Sequence, residues 1–165
     1  MPTKLTHISF WITTLGEWEV TTGAAIVASL LLYLWKRKAY ILPLWVALAG
    51  SESMTYLLKI FFHRERPSIA LYTENSFSFP SGHAAVAVAF YGYLTYVLVR
   101  NLKTRRGKIT AACAGTVVIF VLGLSRLYLG VHFVSDVVGG YVIGAFWLIV
   151  AISMVEWLAS DVKSL

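Results

Sequence analysis

The stretch SRLYLGVHFVSD, Ser125 to Asp136, joins two apolar runs, Ile109 to Tyr128 before it and Phe133 to Trp157 after it. At about 1.5 Å per residue, each run can cross a hydrocarbon core of about 30 Å as a helix. The short link between them makes the pair a membrane hairpin; the link carries His132, and the run ends beside it carry Arg126 and Asp136. Polar side chains at such a depth are costly and are kept where they have a partner or a task.

The rest of the chain has the same character. Of 165 residues, 58% are hydrophobic and 13% charged, about half the charged share of a soluble domain, and the mean hydropathy is +0.72. Three further spans are expected at Val20 to Trp35, Tyr40 to Phe62 and Ala84 to Val99. The expected fold is therefore all-α, a polytopic transmembrane bundle of about five spans. Ile8, Phe10, Trp11, Ile12 and Leu15, set among Lys4, His7 and Glu17, suggest a short interfacial segment ahead of them. No polar stretch is long enough for a separate soluble unit, so residues 1–165 read as one membrane-embedded domain. Cys113 has no partner for a disulfide and carries no information on compartment.

Basic residues orient the bundle. Lys36, Arg37 and Lys38 follow the first span, and Arg100, Lys103, Arg105, Arg106 and Lys108 follow the third. The positive-inside rule makes both loops cytoplasmic and explains the net charge of +6 without a nucleic-acid partner. Residues 63 to 83 and 128 to 133 then face outward, and the C-terminus faces inward. An outward N-terminus without a cleavable signal implies that an upstream span of a longer protein precedes it or that it inserts unaided. Gly140 and Gly144 form a small-xxx-small pair suited to tight packing inside one bundle; the oligomeric state is left open.

Three polar clusters fall at the outward ends. Lys59, six residues, then Arg66-Pro67 is the first; Pro80-Ser81-Gly82-His83 is the second; Ser125-Arg126, five residues, His132, three residues, Asp136 is the third. Ser81 reads as the N-cap of the third span, whose free backbone N–H groups favour an anion. Gly82 lets that anion approach closely, and His83 sits at the rim. His132 and Asp136, four apart, share a helical face if the fifth span begins near His132, so the carboxylate can orient one ring nitrogen and leave the other free to attack phosphorus. Lys59, Arg66 and Arg126 supply the positive charge a phosphoryl transition state needs, and the nearby acids are too few to pair them off. Taken singly, a Ser-capped helix, an ordinary His/Asp pair and a snorkelling lysine account for these residues. Their convergence on one membrane face does not fit those readings. A metal site is disfavoured beside three cations and with one carboxylate in the motifs, and Glu65 and Glu74 read as solvated.

In order and spacing the three clusters resemble the type 2 phosphatidic acid phosphatase superfamily, membrane lipid phosphatases related to vanadium haloperoxidases, with the intervening spans covering most of the chain. The resemblance implies that His132 is the nucleophile, Asp136 its orienting partner and His83 the general acid. Lys59, Arg66, Ser81, Gly82 and Arg126 are implied to hold the phosphoryl oxygens, with no metal or other cofactor. It implies a hydrolase of phospholipid metabolism in the cell envelope, in the plasma (inner) membrane with its site on the extracytoplasmic side, acting on a lipid phosphate or pyrophosphate. Family members usually have six spans against the five counted here. Transfer of the phosphoryl group to a hydroxyl acceptor, or non-catalytic binding or transport of a lipid phosphate, remain alternatives. Haloperoxidase chemistry is disfavoured in a membrane-spanning scaffold. A neutral His132 with a protonated His83 predicts a bell-shaped pH–rate profile.

The sequence leaves the lipid open. Tyr72, Glu74 and Asn75 are candidates for head-group preference. Glu52, seven residues before Lys59 and so about 10 Å deeper on nearly the same face, is expected either to bond Ser51 or Ser53 within the bundle or to shape the substrate cavity.

Overall fold

The computed structural model describes residues 4–161. Its helices are α1 (Lys4–Thr14), α2 (Trp18–Leu34), α3 (Ile41–Phe62), α4 (Gly82–Asn101), α5 (Arg105–Tyr128) and α6 (Val134–Asp161). The last four are each long and apolar enough to span a membrane. The pair α1 and α2, bent by 50° at its break, makes a fifth candidate. The expected all-α bundle of about five spans is present.

Local chemistry accounts for the differences in boundaries. The fourth span begins at Arg105 rather than Ile109 because Thr104 caps it, its hydroxyl accepting from the Gly107 N–H at 3.2 Å. The third begins at Gly82, directly after Ser81, and contains a π-helical turn at Ala87–Tyr91. The N-terminal segment folds as the helix α1, which packs on α5. Its buried residues are Thr6 and Thr13, while Leu5, Ile8 and Trp11 are exposed. That inversion suits a helix with lipid on one side and polar groups of its own protein on the other.

The bundle is built around α4. Leu44, Ala47 and Leu48 of α3, Val86, Ala89, Phe90 and Tyr93 of α4, and Ala151 and Val155 of α6 form one buried cluster. By contrast α5 buries only 11% of its apolar window, so most of that surface is left for lipid. Cys113 lies there, exposed.

Small residues set how closely α6 approaches α4. A Cβ at Gly140 would lie 2.4 Å from the Ser81 carbonyl oxygen, and one at Gly144 would lie 2.3 Å from that of Ala85. The small-xxx-small pair therefore packs within this chain, and it brings the starts of α4 and α6 together. There the Ser81 N–H donates to the Asp136 carbonyl at 2.9 Å.

Candidate active site

The first cluster forms where α3 ends. Lys59 lies in the last turn, and His63 closes the helix in the left-handed region at φ 46°. That turn sends the chain into the loop of residues 64–80, which folds back over the helix ends. Ser78 fastens its two limbs, the N–H donating to the Arg64 carbonyl at 2.8 Å and the hydroxyl to that of Glu65 at 2.9 Å. The Lys59 ammonium donates to the Phe77 carbonyl. Arg66 uses its whole fork, donating to the carbonyl of Ser76 (2.8 Å), the hydroxyl of Ser76 (3.0 Å) and the carbonyl of Val131 (2.9 Å). The last of these ties the first cluster to the third.

In the third cluster, Gly130 adopts φ +69°, a conformation that only glycine takes without strain, and a Cβ there would also meet the Ile69 carbonyl oxygen at 2.9 Å. The turn it makes carries His132 ahead of α6, which begins at Val134. The expected sharing of one helical face is thus corrected: His132 is not in the helix, because Gly130 ends the preceding turn and the next helix starts only after Phe133. The two side chains still meet, with His132 Nδ1 3.4 Å from Asp136 Oδ2, an electrostatic contact without hydrogen-bond geometry. Asp136 is fully buried. It accepts the Phe133 N–H at 2.9 Å and an Arg64 guanidinium N–H at 2.8 Å. On the other side of the ring, His132 Nε2 lies 3.4 Å from Arg66 Nη1. Since a guanidinium only donates, this neighbour favours the tautomer with a lone pair on Nε2 and the proton on Nδ1, facing the carboxylate.

Arg64 is the residue that the sequence reading missed. Besides Asp136 it donates to Ser135 Oγ at 2.7 Å, and it lies over the Phe133 ring at 4.3 Å. In the run His63-Arg64-Glu65-Arg66 nothing in the spacing separates it from a solvated charge.

The second cluster adds Gly82 and His83 to the cavity that Lys59 and His132 line. Ser81 occupies the N-cap position, but its side chain makes no capping bond, a correction to the expected role; among the described residues its buried hydroxyl has no hydrogen-bond partner. Its backbone is engaged at both groups, the N–H donating to the Asp136 carbonyl and the carbonyl accepting from the Ala85 N–H. His83 follows two residues later, and its buried Nε2 has no hydrogen-bond partner among the described residues. The break between α1 and α2 lies against it: a Cβ on Gly16 would come within 2.6 Å of His83 Cδ2.

Arg126 is fully buried, donating to Thr13 Oγ1 and to the Tyr72 hydroxyl, both at 2.6 Å. Glu74 bridges Arg126 and Arg66, so it is not the solvated residue expected, and the cations are less short of acids than the sequence implied. Loop folding is the cause, since it brings a carboxylate under two guanidinium groups. Burial would raise the Glu74 carboxyl, but Arg126 and Arg66 outweigh it and hold it down at about 2. Tyr72, which donates to Glu74 at 2.8 Å, is pushed up to about 12 mainly by burial. Burial also lowers His132; the neighbouring Asp136 carboxylate opposes this, and Arg126, Arg66 and Lys59 add to it.

Lys59, Glu74, Ser76, Gly82, His83 and His132 share one cavity of about 230 Å³, with Glu52, Gly16 and Trp18 completing its wall. That is below the range of about 300–1,000 Å³ for pockets that swallow a drug-sized ligand, so it fits a head group and not lipid tails. The expected bond from Glu52 to Ser51 or Ser53 is not made. Ser51 donates to the Leu48 carbonyl at 2.9 Å, and Ser53 lies on the outer, apolar side of α3.

Known proteins resemble this chain in sequence and fold. A stretch of Bacillus subtilis phosphatidylglycerophosphatase B is 45% identical over 91 residues, which is 53% of this chain and 44% of that relative; the match thus spans less than half of the relative's length. The crystal structure of the transmembrane PAP2 type phosphatidylglycerolphosphate phosphatase from Bacillus subtilis matches with a TM-score of 0.86 at 30% identity, over 92% of this chain and 77% of that one. Aquifex aeolicus LpxE matches with a TM-score of 0.73 at 26% identity, over 90% of this chain and 86% of that one. The sequence pattern of the PAP2 superfamily covers residues 40–160, which hold all three polar clusters, and this multi-pass membrane chain belongs to that superfamily.

Proposed function

We propose that the chain is a metal-independent lipid phosphate phosphatase that works through a phosphohistidine at His132, on the outer face of the membrane. The observation that carries this reading is the setting of His132: Nδ1 toward Asp136, Nε2 beside the donor Arg66, and the ring on a head-group-sized cavity.

The Nε2 lone pair attacks phosphorus and forms the P–N bond as the bond to the lipid oxygen breaks. The leaving oxygen takes a proton from His83. Asp136 steadies the positive charge on the His132 ring. Lys59, Arg66 and Arg126, with the backbone at Gly82 and the Ser81 hydroxyl, hold the non-bridging oxygens where negative charge collects. For this to happen the Glu74 carboxylate gives up its place between Arg66 and Arg126 to the phosphoryl oxygens. In the second half His83 removes a proton from water, which displaces His132 and releases inorganic phosphate.

The names of two relatives make phosphatidylglycerophosphate the first lipid to try. The outward orientation is supported by the basic residues, since Lys36–Lys38 and Arg100–Lys108 lie at the helix ends opposite the cavity. His132→Ala in the purified protein should lower phosphate release by about a thousandfold or more. Radiolabelled lipid phosphate should leave an acid-labile, alkali-stable label on the wild-type protein, and a chelator should not slow turnover. Unchanged phosphate release by His132→Ala would exclude the mechanism.

A further inference from the structure

Among the described residues that line the cavity, Glu52 is the one acidic group that the phosphohistidine mechanism does not use and that no cation neutralises through a direct bond. It is half-buried on the cavity wall, one face of α3 below Lys59. Among the described residues its carboxyl has no hydrogen-bond partner; Ser51 turns to Leu48, and the Lys59 ammonium turns to the Phe77 carbonyl. An ionised carboxylate at this place repels a phosphate, since both present acceptor oxygens and negative charge. It can serve a hydroxyl, because a carboxyl oxygen accepts from O–H.

Geometry says which hydroxyl. In-line displacement puts the leaving oxygen on the side of phosphorus away from His132, and the proton transfer proposed above puts it beside His83, which lines the same cavity. The cavity lining continues into Gly16, which touches His83, and on to Trp18 and Glu52. Seven residues separate Glu52 from Lys59, about 10 Å along the helix, so Glu52 lies toward the membrane interior. The departing alcohol must also extend that way, because it carries the lipid tails that the cavity cannot hold. The phosphate and the alcohol thus meet different chemistry, cations at the loop end and a lone carboxyl at the membrane end.

We propose that Glu52 accepts a hydrogen bond from a second hydroxyl on the departing alcohol, so that the cavity selects lipid phosphates whose phosphate-bearing alcohol is a polyol. This rests on the phosphatase reading above. Glu52 is a specificity-determining residue in this account, and the phosphoryl-transfer groups are complete without it.

The test compares phosphatidylglycerophosphate with an analogue in which propane-1,3-diol replaces the terminal glycerol, removing only the second hydroxyl. Both are offered in mixed micelles to the full chain, with phosphate release as the readout. The wild-type protein should prefer the natural lipid by about tenfold in kcat/KM, the effect expected for one hydrogen bond to a carboxylate. In Glu52→Leu that ratio should fall to near one, and in Glu52→Gln, whose amide oxygen still accepts, most of it should remain. A wild-type protein that treats the two lipids alike overturns the proposal whether or not either variant folds. So does a Glu52→Leu protein that is slower on both lipids but keeps the tenfold ratio, which would make Glu52 only a counter-charge for Lys59. Release of phosphate from neither lipid, nor from phosphatidic acid or a polyprenyl pyrophosphate, would instead sink the phosphatase reading and this proposal with it. Turnover of the hydroxyl-free lipids with no preference for the polyol leaves that reading standing and removes Glu52 from it.

Discussion

Asp136 has three neighbours that compete for two carboxyl oxygens: the Phe133 N–H and the His132 ring on Oδ2, and Arg64 on Oδ1. Arg64 offsets part of the carboxylate's charge, so it limits how strongly Asp136 favours a protonated imidazole. Burial and the surrounding cations already keep His132 below the ordinary histidine range of about 6.5. The sign follows: the ring is neutral at neutral pH, and under the proposed mechanism activity should decline with acid only as pH falls through that lowered value. Arg64→Gln removes the offset, and the freed carboxylate should raise His132, moving the acid limb of kcat/KM to higher pH and lowering kcat by about tenfold. A purely structural arginine would lower activity without moving the limb, so the full pH profile separates the two. Arg64 is also where the sequence was least readable. Its neighbour Arg66 stands out through its spacing from Lys59, whereas Arg64 acquires a role only when His63 turns the chain and the loop closes on Asp136.

Between elements, the close approach of α4 and α6 does what no single motif does. Gly140 lets the two helices meet so that the Ser81 N–H reaches the Asp136 carbonyl. Gly140→Ala would press a methyl against the Ser81 carbonyl oxygen. Overpacking of this kind costs about 1–3 kcal/mol, and it would push the second cluster away from the third. The expected outcome is a lower thermal midpoint in detergent together with a loss of phosphate release larger than the stability change explains, measured on protein that remains folded. Equal activity with the same loss of stability would show that the site tolerates separation of the two helices. The glycine pair was visible as a packing motif in the sequence, but its partner was not. Small residues announce a close contact without saying with which helix, and only the fold shows that Gly140 meets Ser81 of the second cluster.

For the molecule as a whole, the order of helices puts the cavity at one end and the basic loops at the other. The orientation proposed from this is open to labelling in intact cells. With Cys113→Ser as background, Ser68→Cys in the loop over the cavity should react with a membrane-impermeant thiol reagent, and Lys103→Cys should react only after the cells are permeabilised. The reverse pattern would put the site on the cytoplasmic side.

The helices, their number and the three clusters were readable from the chain because they depend on local properties: runs of apolar residues long enough for a bilayer, and polar residues at the ends of those runs. The contacts that make a site were not. That His132 stands outside the helix of its partner, that Ser81 leaves its hydroxyl free, that Glu74 lies between two arginines and that Glu52 faces the same cavity as His83 all depend on how a loop folds and how closely helices pack. Those are interactions between residues far apart in sequence, where spacing along the chain carries no distance in space.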